Sequence, residues 1–493
     1  MNRYRLSAVA IGVLAMSTAA FADIKNEKVT LKPNMILQYN MEQKSVESIN
    51  EMFTEGEFYG RLRMNTFKWD WSDDSAGTDN EALGLGGSFI YKSAKFNSLS
   101  TTLGLYTSQN PSFFRMDVDE VGSVKAGKDT FSRYDTDATG KFGMSVLGQA
   151  YLQYDISKTS IVAGRQLFES VFTKSNDTKM IPNTFDGISA TIKDIPGTTI
   201  QLGYFTAQKL RDHTTSHDVL AVNSDDNTTS IREDWNGNDD SAVNKSLTTD
   251  LIGDDNKLII ASFTNKSVKN LNANISVANV PDVLTNVTLE AHYALNVGGD
   301  WIVAPGFRYM QQMDNLDAGT NVASLKGSTK VDGYDDPTSL DSSLVAARLD
   351  IKDKAFLFRL GYSAIEDAAD IVAPWRGFPT AGFTRAMAQY NWYANTKTYM
   401  ARIGYNFDKA GILDGFNIFA RYAIQDFDDS KDNVQADSNI LHVDIMQNIG
   451  KNLQAKVRLG LVSADDSIEK ENLGGTKTDA SYNEYRFELN YFF

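Results

Sequence analysis

Apolar and polar side chains alternate strictly over the last residues of the chain, up to a terminal phenylalanine. Apolar side chains at every second position from Tyr485 to Phe493 fall on one face of the predicted strand, whereas Arg486, Glu488 and Asn490 fall on the other. A strand with an aromatic face and a charged face lies between an apolar environment and water. The pattern therefore predicts the closing strand of a transmembrane β-barrel.

Alternating segments of similar length recur along the whole chain and are separated by tight turns and long loops in alternation. Strands are predicted near 58–69, 83–91, 99–106, 141–154, 159–167, 185–193, 199–209, 257–264, 271–278, 284–295, 301–312, 343–351, 355–364, 398–407, 415–425, 439–447, 453–462 and 485–493. An even number of strands brings both ends of a barrel to one side. We therefore expect an all-β chain: a single transmembrane antiparallel β-barrel of about 18 strands, with short periplasmic turns and long extracellular loops.

The start of the chain has the features of an export signal. Arg3 and Arg5 precede an apolar stretch, and Ala20-Phe21-Ala22 is a cleavage site with small residues at the required positions. We expect a signal peptide over residues 1–22, cleaved after Ala22, then an N-terminal periplasmic segment over 23–56 and the barrel over 57–493. The expected location is the bacterial outer membrane.

Composition excludes some partners. The formal net charge is −15, so nucleic acid is not an expected partner. The chain has no cysteine, which leaves neither disulfides nor thiolate metal sites.

Pairs of aspartates in the long loops are interpreted as solvated charges. The alternative, cation sites that bridge to lipopolysaccharide, is not favoured because no run has the spacing of a calcium loop, so neither metal nor cofactor is expected.

Tyrosine and tryptophan concentrate near the ends of the predicted strands. They include Trp69, Trp71, Tyr91, Tyr106, Tyr154, Trp301, Tyr405, Tyr485 and Tyr491. Because amphipathic rings prefer the interface between membrane and water, these residues are predicted to form the aromatic girdles of the barrel.

Arginines of the predicted strands fall mostly on the inward face when the lipid face is assigned from apolar residues alone. This assignment predicts a pore-lining basic ladder of Arg61, Arg63, Arg165, Arg308, Arg348, Arg359, Arg402, Arg421, Lys456, Arg458 and Arg486. It also places four acids in the lumen, namely Glu290, Asp350, Asp444 and Glu488. A row of guanidinium groups offers a carboxylate successive bidentate partners. The alternative is that these arginines pair with the lumen acids and brace the wall.

The loop from Phe168 to Thr184 combines Met, Ile and Pro with Asp and Lys, which is unusual for a freely solvated loop. Such a loop could fold into the lumen and narrow it, and a wide barrel needs a constriction of this kind to be selective. The sequence therefore predicts a third loop that is folded into the lumen.

Three segments carry a resemblance to a known family. SNDTKMIPNTFDG at 175–187 resembles the third-loop signature of the OprD-like family of outer-membrane porins from Gram-negative bacteria. NFDKAGILDGFNIFARYAIQD at 406–426 is similar to the late turn of that family, and NEYRFELNYFF at 483–493 to its closing strand. The resemblance implies an eighteen-stranded monomeric-pore barrel, an arginine ladder on its wall, and small substrates that usually carry a carboxylate.

The resemblance also implies which residues of the third loop build the constriction. They are Ser175, Asn176, Asp177, Lys179, Met180 and Pro182. Lys179 stands where the family more often has arginine, which keeps the charge but loses the planar fork of donors.

The expected function is a passive diffusion channel for small water-soluble solutes that favours anionic or carboxylate-bearing substrates, such as amino acids and small organic acids. A lipase-like or protease-like barrel enzyme is an alternative, but it needs a nucleophile and a base at the rim. Only four histidines are present, and no serine lies in a strained elbow, so no enzyme is expected. A role as an adhesin stays open because long loops face outward.

The expected partners follow from the barrel and its location. They are small polar solutes, outer-membrane lipid with lipopolysaccharide, and the barrel assembly machinery, which would bind the C-terminal strand. A monomer and a homotrimer are both compatible with the sequence.

Overall fold

The computed structural model describes residues 26–73, 77–125, 127–220, 249–317, 319–325, 333–387, 390–428, 430–431, 434–465, 469–470, 475–476 and 480–493 of the chain. The predicted signal peptide and its cleavage site lie outside these residues. Within the described part of the chain, no helix is both long enough and apolar enough to cross a membrane.

Long antiparallel strands close into a barrel, which confirms the predicted fold class. In chain order the eighteen are β1 Glu57–Trp71, β2 Asn80–Lys92, β3 Leu99–Gln109, β4 Met144–Ile156, β5 Thr159–Gln166, β6 Thr184–Ile192, β7 Thr198–Lys209, β8 Leu258–Asn265, β9 Leu271–Val280, β10 Leu284–Tyr293, β11 Trp301–Asp314, β12 Ser342–Lys352, β13 Phe356–Ile365, β14 Lys397–Asn406, β15 Phe416–Asp426, β16 Ser438–Ile449, β17 Leu453–Ala464 and β18 Tyr482–Phe492. The barrel closes where β18 pairs with β1, from Tyr482 opposite Trp71 to Phe492 opposite Arg61.

Other elements are short. The helices are Ile49–Thr54, Arg133–Thr139 and Thr249–Ile252, with 3₁₀ turns at Val118–Ser123 and Lys128–Thr130. The short strands are Val29–Leu31, Leu37–Tyr39, Ser45–Val46, Lys95–Phe96, Leu295–Gly298, Glu469–Lys470 and Gly475–Thr476.

Side chains of the barrel strands alternate between an apolar outer face and a polar lumen, as the period of a β-strand requires. In β11, Phe307 is 50% exposed whereas the adjacent Arg308 is 7% exposed. Trp69 and Tyr106, which were predicted to lie in the aromatic girdles, point into the barrel instead. Trp69 is buried in the lumen and stacks on Tyr482 with 3.6 Å between ring centroids. Tyr106 is also buried, and its hydroxyl accepts a hydrogen bond from Gln149 at 2.8 Å.

Loops and turns segregate to opposite ends of the barrel, here called the loop end and the turn end. At the turn end, β4 and β5 are joined by a tight turn in which Ser157 has a φ of 55°. At the loop end, two long connections enter the lumen instead of extending away from it. They are loop 3, residues 167–183, and loop 7, of which residues 366–387 and 390–396 are described.

Loop 3 and loop 7 pack against each other inside the barrel. The backbone N–H of Lys174 donates to the carbonyl of Trp375 at 2.9 Å, and that of Gly377 donates to the carbonyl of Phe172 at 2.9 Å. Trp375 is fully buried in the hydrophobic cluster that the two loops share with the wall. Loop 3 therefore enters the lumen as the sequence predicts, whereas the entry of loop 7 was not predicted.

The segment before the first barrel strand forms a hairpin. Its strands Val29–Leu31 and Leu37–Tyr39 pair in antiparallel register. Val29 is fully buried among wall residues that include Tyr59 and Phe492. The hairpin is thus packed against the inner wall at the turn end of the barrel.

The substitution Gly377→Ala tests the contact between the two inner loops. A Cβ atom at this position would overlap the carbonyl group of Phe172. Because the overlapping atoms belong to the backbone, they cannot move aside as the end of a flexible side chain would. We expect loop 7 to separate from loop 3, with a loss of about 1–3 kcal/mol in the free energy of unfolding. Denaturant titration and limited proteolysis of loop 7 measure the effect.

A matched control for that prediction is Gly122→Ala. A Cβ atom there would meet no heavy atom within 4 Å. Equal stability and equal protease resistance of the two variants would contradict the packing of loop 7 on loop 3.

Candidate functional site: the lumen and its constriction

Basic residues of the wall are direct neighbours in the barrel register. Arg359 lies opposite Arg402, Arg402 opposite Arg421, and Arg421 opposite His442 on successive strands β13 to β16. Like charges directly opposite each other destabilise a sheet. Three arginines in one row therefore have a cost to stability that other contacts must offset.

Acids of the lumen neutralise Arg359 at one end of this row and the basic residues of β17 beyond its other end. Asp350 accepts two hydrogen bonds from Arg359, at 2.5 and 2.8 Å. Asp444 accepts two from Arg458, at 2.7 and 2.8 Å, and lies 3.7 Å from Lys456. These pairs have the geometry of the bracing role that was the alternative to a solute path.

Arg308 belongs to the same class of paired residues. Its guanidinium donates from Nε to Glu290 at 2.8 Å and from Nη2 to the same oxygen at 2.5 Å. Glu290 also lies 2.5 Å from His292. Arg348 is 3.8 Å from Asp350 and 5.3 Å from the centre of the Phe383 ring. Arg486 pairs with Glu484.

Arg402 and Arg421 differ from the other wall arginines. Neither forms an ion pair with a carboxylate within the described residues, and the Nε atom of each is buried there without a hydrogen-bond partner. Arg402 stacks over Phe419 at 4.2 Å from its ring centre, and Arg421 approaches the same ring at 5.2 Å. A shared aromatic face thus compensates part of the repulsion between the two cations.

Both guanidinium groups line a cavity of about 170 Å³ in the middle of the lumen. The wall supplies its basic lining together with Asp444, Met400 and Phe419. Loop 3 contributes Thr178, and loop 7 contributes the Gly382-Phe383 segment and Arg385. The cavity can therefore present two cations, aromatic edges and a hydroxyl to a small solute.

Asp177 anchors loop 3 to the wall. One carboxylate oxygen accepts from Arg61 at 2.7 Å, and the other accepts from Arg63 at 3.0 Å. Arg63 also donates to Glu488 at 2.7 Å. Because both arginines are almost fully buried under the loop, they hold the constriction in place and present little surface to the lumen.

Other predicted residues of loop 3 fix its conformation. The N–H of Ser175 donates to Glu169 at 2.7 Å, and the Asn176 side chain donates to the carbonyl of Arg376 at 2.9 Å. Met180 is buried against Gly84, and the carbonyl of Pro182 accepts from Lys209 at 3.1 Å.

Lys179 is buried rather than displayed in the constriction. Its ammonium group lies 4.4 Å from the centre of the Phe67 ring, and its carbonyl accepts from Asn65 at 3.0 Å. Burial, with Arg486 close by, holds the pKa of Lys179 well below its usual range. The loop 3 residue that reaches the central cavity is instead Thr178, which the sequence analysis did not select.

Loop 7 is held by the same basic ladder through its backbone carbonyl groups. Arg308 donates to the carbonyl of Pro379 at 2.6 Å. Arg348 and Arg359 both donate to that of Gly382, at 2.7 and 2.8 Å. These acceptors were missed because a carbonyl has no signature in the sequence. The run of Trp, Phe, Pro and Gly from 375 to 383 was the available signal.

Arg165 does not belong to the predicted pore-lining ladder. In β5 it shares the parity of the exposed Ile161, and so lies on the outer face of the barrel. There it makes a bidentate ion pair with Asp186, with both contacts at 2.7 Å. The prediction was wrong because β5 carries apolar residues on both faces, which left its orientation ambiguous.

A closed barrel with an apolar outer belt, a polar lumen and loops folded into that lumen defines a porin of the bacterial outer membrane. A family model described as outer membrane porin, OprD family, matches residues 120–491 of the chain. The chain belongs to this family, as the resemblance of its sequence motifs indicates. None of the curated protein sequences matches it significantly.

Solved structures of porins share its fold. Acinetobacter baumannii OccAB3 has a TM-score of 0.65 at 16% identity, over 89% of this chain and 99% of that chain. Pseudomonas aeruginosa OccK8 (OprE) has a TM-score of 0.66 at 14% identity, over 90% and 99% of the two chains. Pseudomonas aeruginosa OpdK with vanillate has a TM-score of 0.64 at 14% identity, with the same coverage.

The substitution Asp177→Asn tests the anchor of loop 3. It leaves Arg61 and Arg63 buried without a charged partner on the loop, a change that costs about 3–5 kcal/mol for a buried ion pair. We expect loop 3 to leave its position, so that single-channel conductance in planar bilayers rises and its fluctuations grow.

Asp186→Asn is the matched control, since it removes the same group from an ion pair on the outer face. An Asp177→Asn channel with the conductance and noise of the parent protein would show that the anchor is dispensable.

Proposed function

We propose that this porin is a passive diffusion channel for small water-soluble solutes that favours those with a carboxylate. The observation that carries the proposal is the pair Arg402 and Arg421. Both line the central cavity and form no ion pair with a carboxylate of the described residues, although Asp444 lines the same cavity. Guanidinium groups bind carboxylates with two parallel hydrogen bonds. A solute carboxylate would take the position that lumen acids occupy on the neighbouring arginines.

Passage would need several weak sites in series rather than one strong site. Lys456 and Arg458 line the same cavity beyond Arg421, but Asp444 already neutralises part of their charge. A carboxylate would therefore bind most strongly beside Arg402 and less strongly further along the wall. Weak successive binding lets a solute leave as readily as it enters.

Selection by size would come from the two inner loops. Loop 3 reduces the lumen from the side of β1 and loop 7 from the side of β12 to β15, and both are held by charged contacts to the wall. No covalent step and no energy input are needed. The structure of OpdK was determined with vanillate, which is an organic anion of the kind that this cavity would accept.

An enzyme is the less favoured function. Within the described residues, no group of three or more His, Cys, Asp or Glu side chains is placed to hold a metal ion. His213 and His217 lie with their ring centroids 4.7 Å apart in the loop after β7. His213 is fully buried, and burial holds its pKa well below its usual range. A buried neutral imidazole of this kind packs the loop and is not displayed to a substrate.

We further infer the route by which the chain reaches its membrane. Residues 1–22 would direct export and be cleaved after Ala22. The closing strand β18 would be recognised by the barrel assembly machinery, and the outer belt would contact lipid and lipopolysaccharide. The pore lies within one chain, so both a monomer and a homotrimer would conduct.

The double substitution Arg402→Gln with Arg421→Gln tests the carboxylate site. Each change removes a charge that forms no ion pair with an acid of the described residues. We expect the anion-to-cation permeability ratio to fall at least about threefold, because a charge in a narrow, partly dehydrated lumen acts at short range. The reversal potential across a bilayer in a salt gradient gives this ratio.

Two controls make that test specific. Arg165→Gln removes an arginine from the outer face and should leave the reversal potential unchanged. Arg402→Lys keeps the charge but loses the fork, so it should retain selectivity for chloride while blockage of the current by carboxylates weakens. A double variant with the selectivity of the parent would contradict the proposed function.

A further inference from the structure

The N-terminal hairpin, defined as residues 28–40, enters the lumen from the turn end of the barrel. Its turn is closed by hydrogen bonds from Lys32 to the carbonyl of Ile36 at 2.9 Å and from Met35 to the carbonyl of Lys32 at 2.8 Å. A hairpin of two short strands is marginally stable by itself. Its position therefore depends on the contacts that it makes with the wall and with loop 3.

The base of the hairpin is fastened to the turn end. Val29 is fully buried near Phe492, and the Tyr39 ring lies 4.8 Å from that of Tyr59. Just before the hairpin, the Asn26 side chain donates to that of Asn452 at 2.8 Å, in the turn between β16 and β17. These contacts set the hairpin against the inner wall and direct its tip toward the centre of the pore.

The tip of the hairpin reaches the constriction. The Asn34 side chain donates to Glu169 of loop 3 at 2.8 Å, and the other oxygen of that carboxylate accepts from the N–H of Ser175. Pro33 lines the 170 Å³ cavity that contains Arg402. Met35 is 5% exposed and lines the adjoining space beside Lys456. The tip thus forms one wall of the path that a solute would follow.

Open space lies beside the hairpin. A cavity of about 480 Å³ is bounded on one side by Leu37, Tyr39 and Gln43 of the N-terminal segment, and on the other by wall residues such as Lys92 and Gln149. Among the described residues, one side-chain hydrogen bond joins the tip to loop 3, and Met35 is buried beside Lys456, whereas the base makes several contacts with the wall. This space is large enough to receive the tip, while Val29 and Asn26 hold the base at the turn end.

We infer that the N-terminal hairpin is the exit gate of this porin, with Pro33, Asn34 and Met35 as the residues that determine what passes from the central cavity to the turn end. With the tip against loop 3, the space below the guanidinium groups is closed. With the bond between Asn34 and Glu169 broken, the central cavity opens into the space beside the hairpin. The gate acts on all solutes, and so is independent of the carboxylate preference proposed above.

The absence of cysteine from the chain makes a direct test possible. In the variant with Asn34→Cys and Glu169→Cys, a short thiol-reactive cross-linker that is cleaved by reductant would fasten the tip to loop 3. We expect single-channel conductance to fall by about half or more on cross-linking and to recover with reductant, because the exit is narrowed by a fixed tip. Each single cysteine variant controls for the modification itself.

A deletion of residues 28–40 provides the opposite change. We expect conductance to rise about twofold or more, with the anion-to-cation permeability ratio kept, since Arg402 and Arg421 stay in place. Where the deletion prevents barrel assembly, Asn34→Ala replaces it and should give more frequent open fluctuations. Asn40→Ala is its matched control, because Asn40 bonds to Thr30 within the hairpin.

The outcomes separate the gate from the proposed function. Equal conductance of the cross-linked, reduced and hairpin-altered channels would overturn the gate, whatever their selectivity. A loss of selectivity in the arginine variants has no bearing on it. A conductance change that reverses with reductant supports the gate even where carboxylates show no preference.

Discussion

The constraint on which the structure depends is that hydrocarbon offers no hydrogen bonds to the backbone. Every N–H and C=O group of a membrane-spanning strand must therefore pair with a neighbouring strand, and the sheet must close on itself. Closure by β18 against β1 achieves this. The same closure makes each side chain of the wall either outward or inward, because successive residues of a strand point to opposite faces. An arginine that follows an outward phenylalanine, as Arg308 follows Phe307, has no position available except the lumen.

This constraint explains why the fold could be predicted from the sequence and much of the site could not. Alternation along a strand is a local property, so all eighteen strands and the inward direction of Arg359, Arg402 and Arg421 could be inferred from apolar residues alone. Whether an arginine is paired depends on the register between strands far apart in sequence and on the loops that enter the lumen. Arg61 and Arg402 have the same sequence pattern, an arginine between apolar residues of a strand. In the structure, however, Arg61 is buried under Asp177 and Arg402 faces a cavity. The predicted inward direction of Arg165 was wrong for a local reason, because β5 has apolar residues on both faces and its alternation is ambiguous.

The lumen combines two uses of the same side chain. Most guanidinium groups hold something in place: Asp177 of loop 3, the carbonyl groups of loop 7, or an acid on the next strand. Each of these contacts consumes donors that a solute would otherwise meet. A charge that is fully paired contributes rigidity but little attraction, and a charge without a partner is costly to bury. The row from β13 to β15 divides these roles only in part. Arg359 is paired with Asp350. Arg421 donates to the loop 7 carbonyl of Arg385 at 2.7 Å, while Arg402 and Arg421 share the face of Phe419.

The backbone of the barrel does not by itself distinguish one porin of this kind from another. The chain shares its fold over nearly the whole length of structures that are only 14–17% identical to it, so quite different sequences form the same barrel. Selection by size would then depend on segments whose conformation is not imposed by closure, whereas the proposed preference for carboxylates depends on Arg402 and Arg421 of the wall. Loop 3, loop 7 and the N-terminal hairpin are such segments, and all three meet at the central cavity. Each is held there by polar and charged contacts, a few backbone hydrogen bonds and local apolar packing rather than by the long backbone ladders of the barrel. A few substitutions at these contacts would therefore change what passes, while the barrel, with its uninterrupted hydrogen bonding, remains as it is.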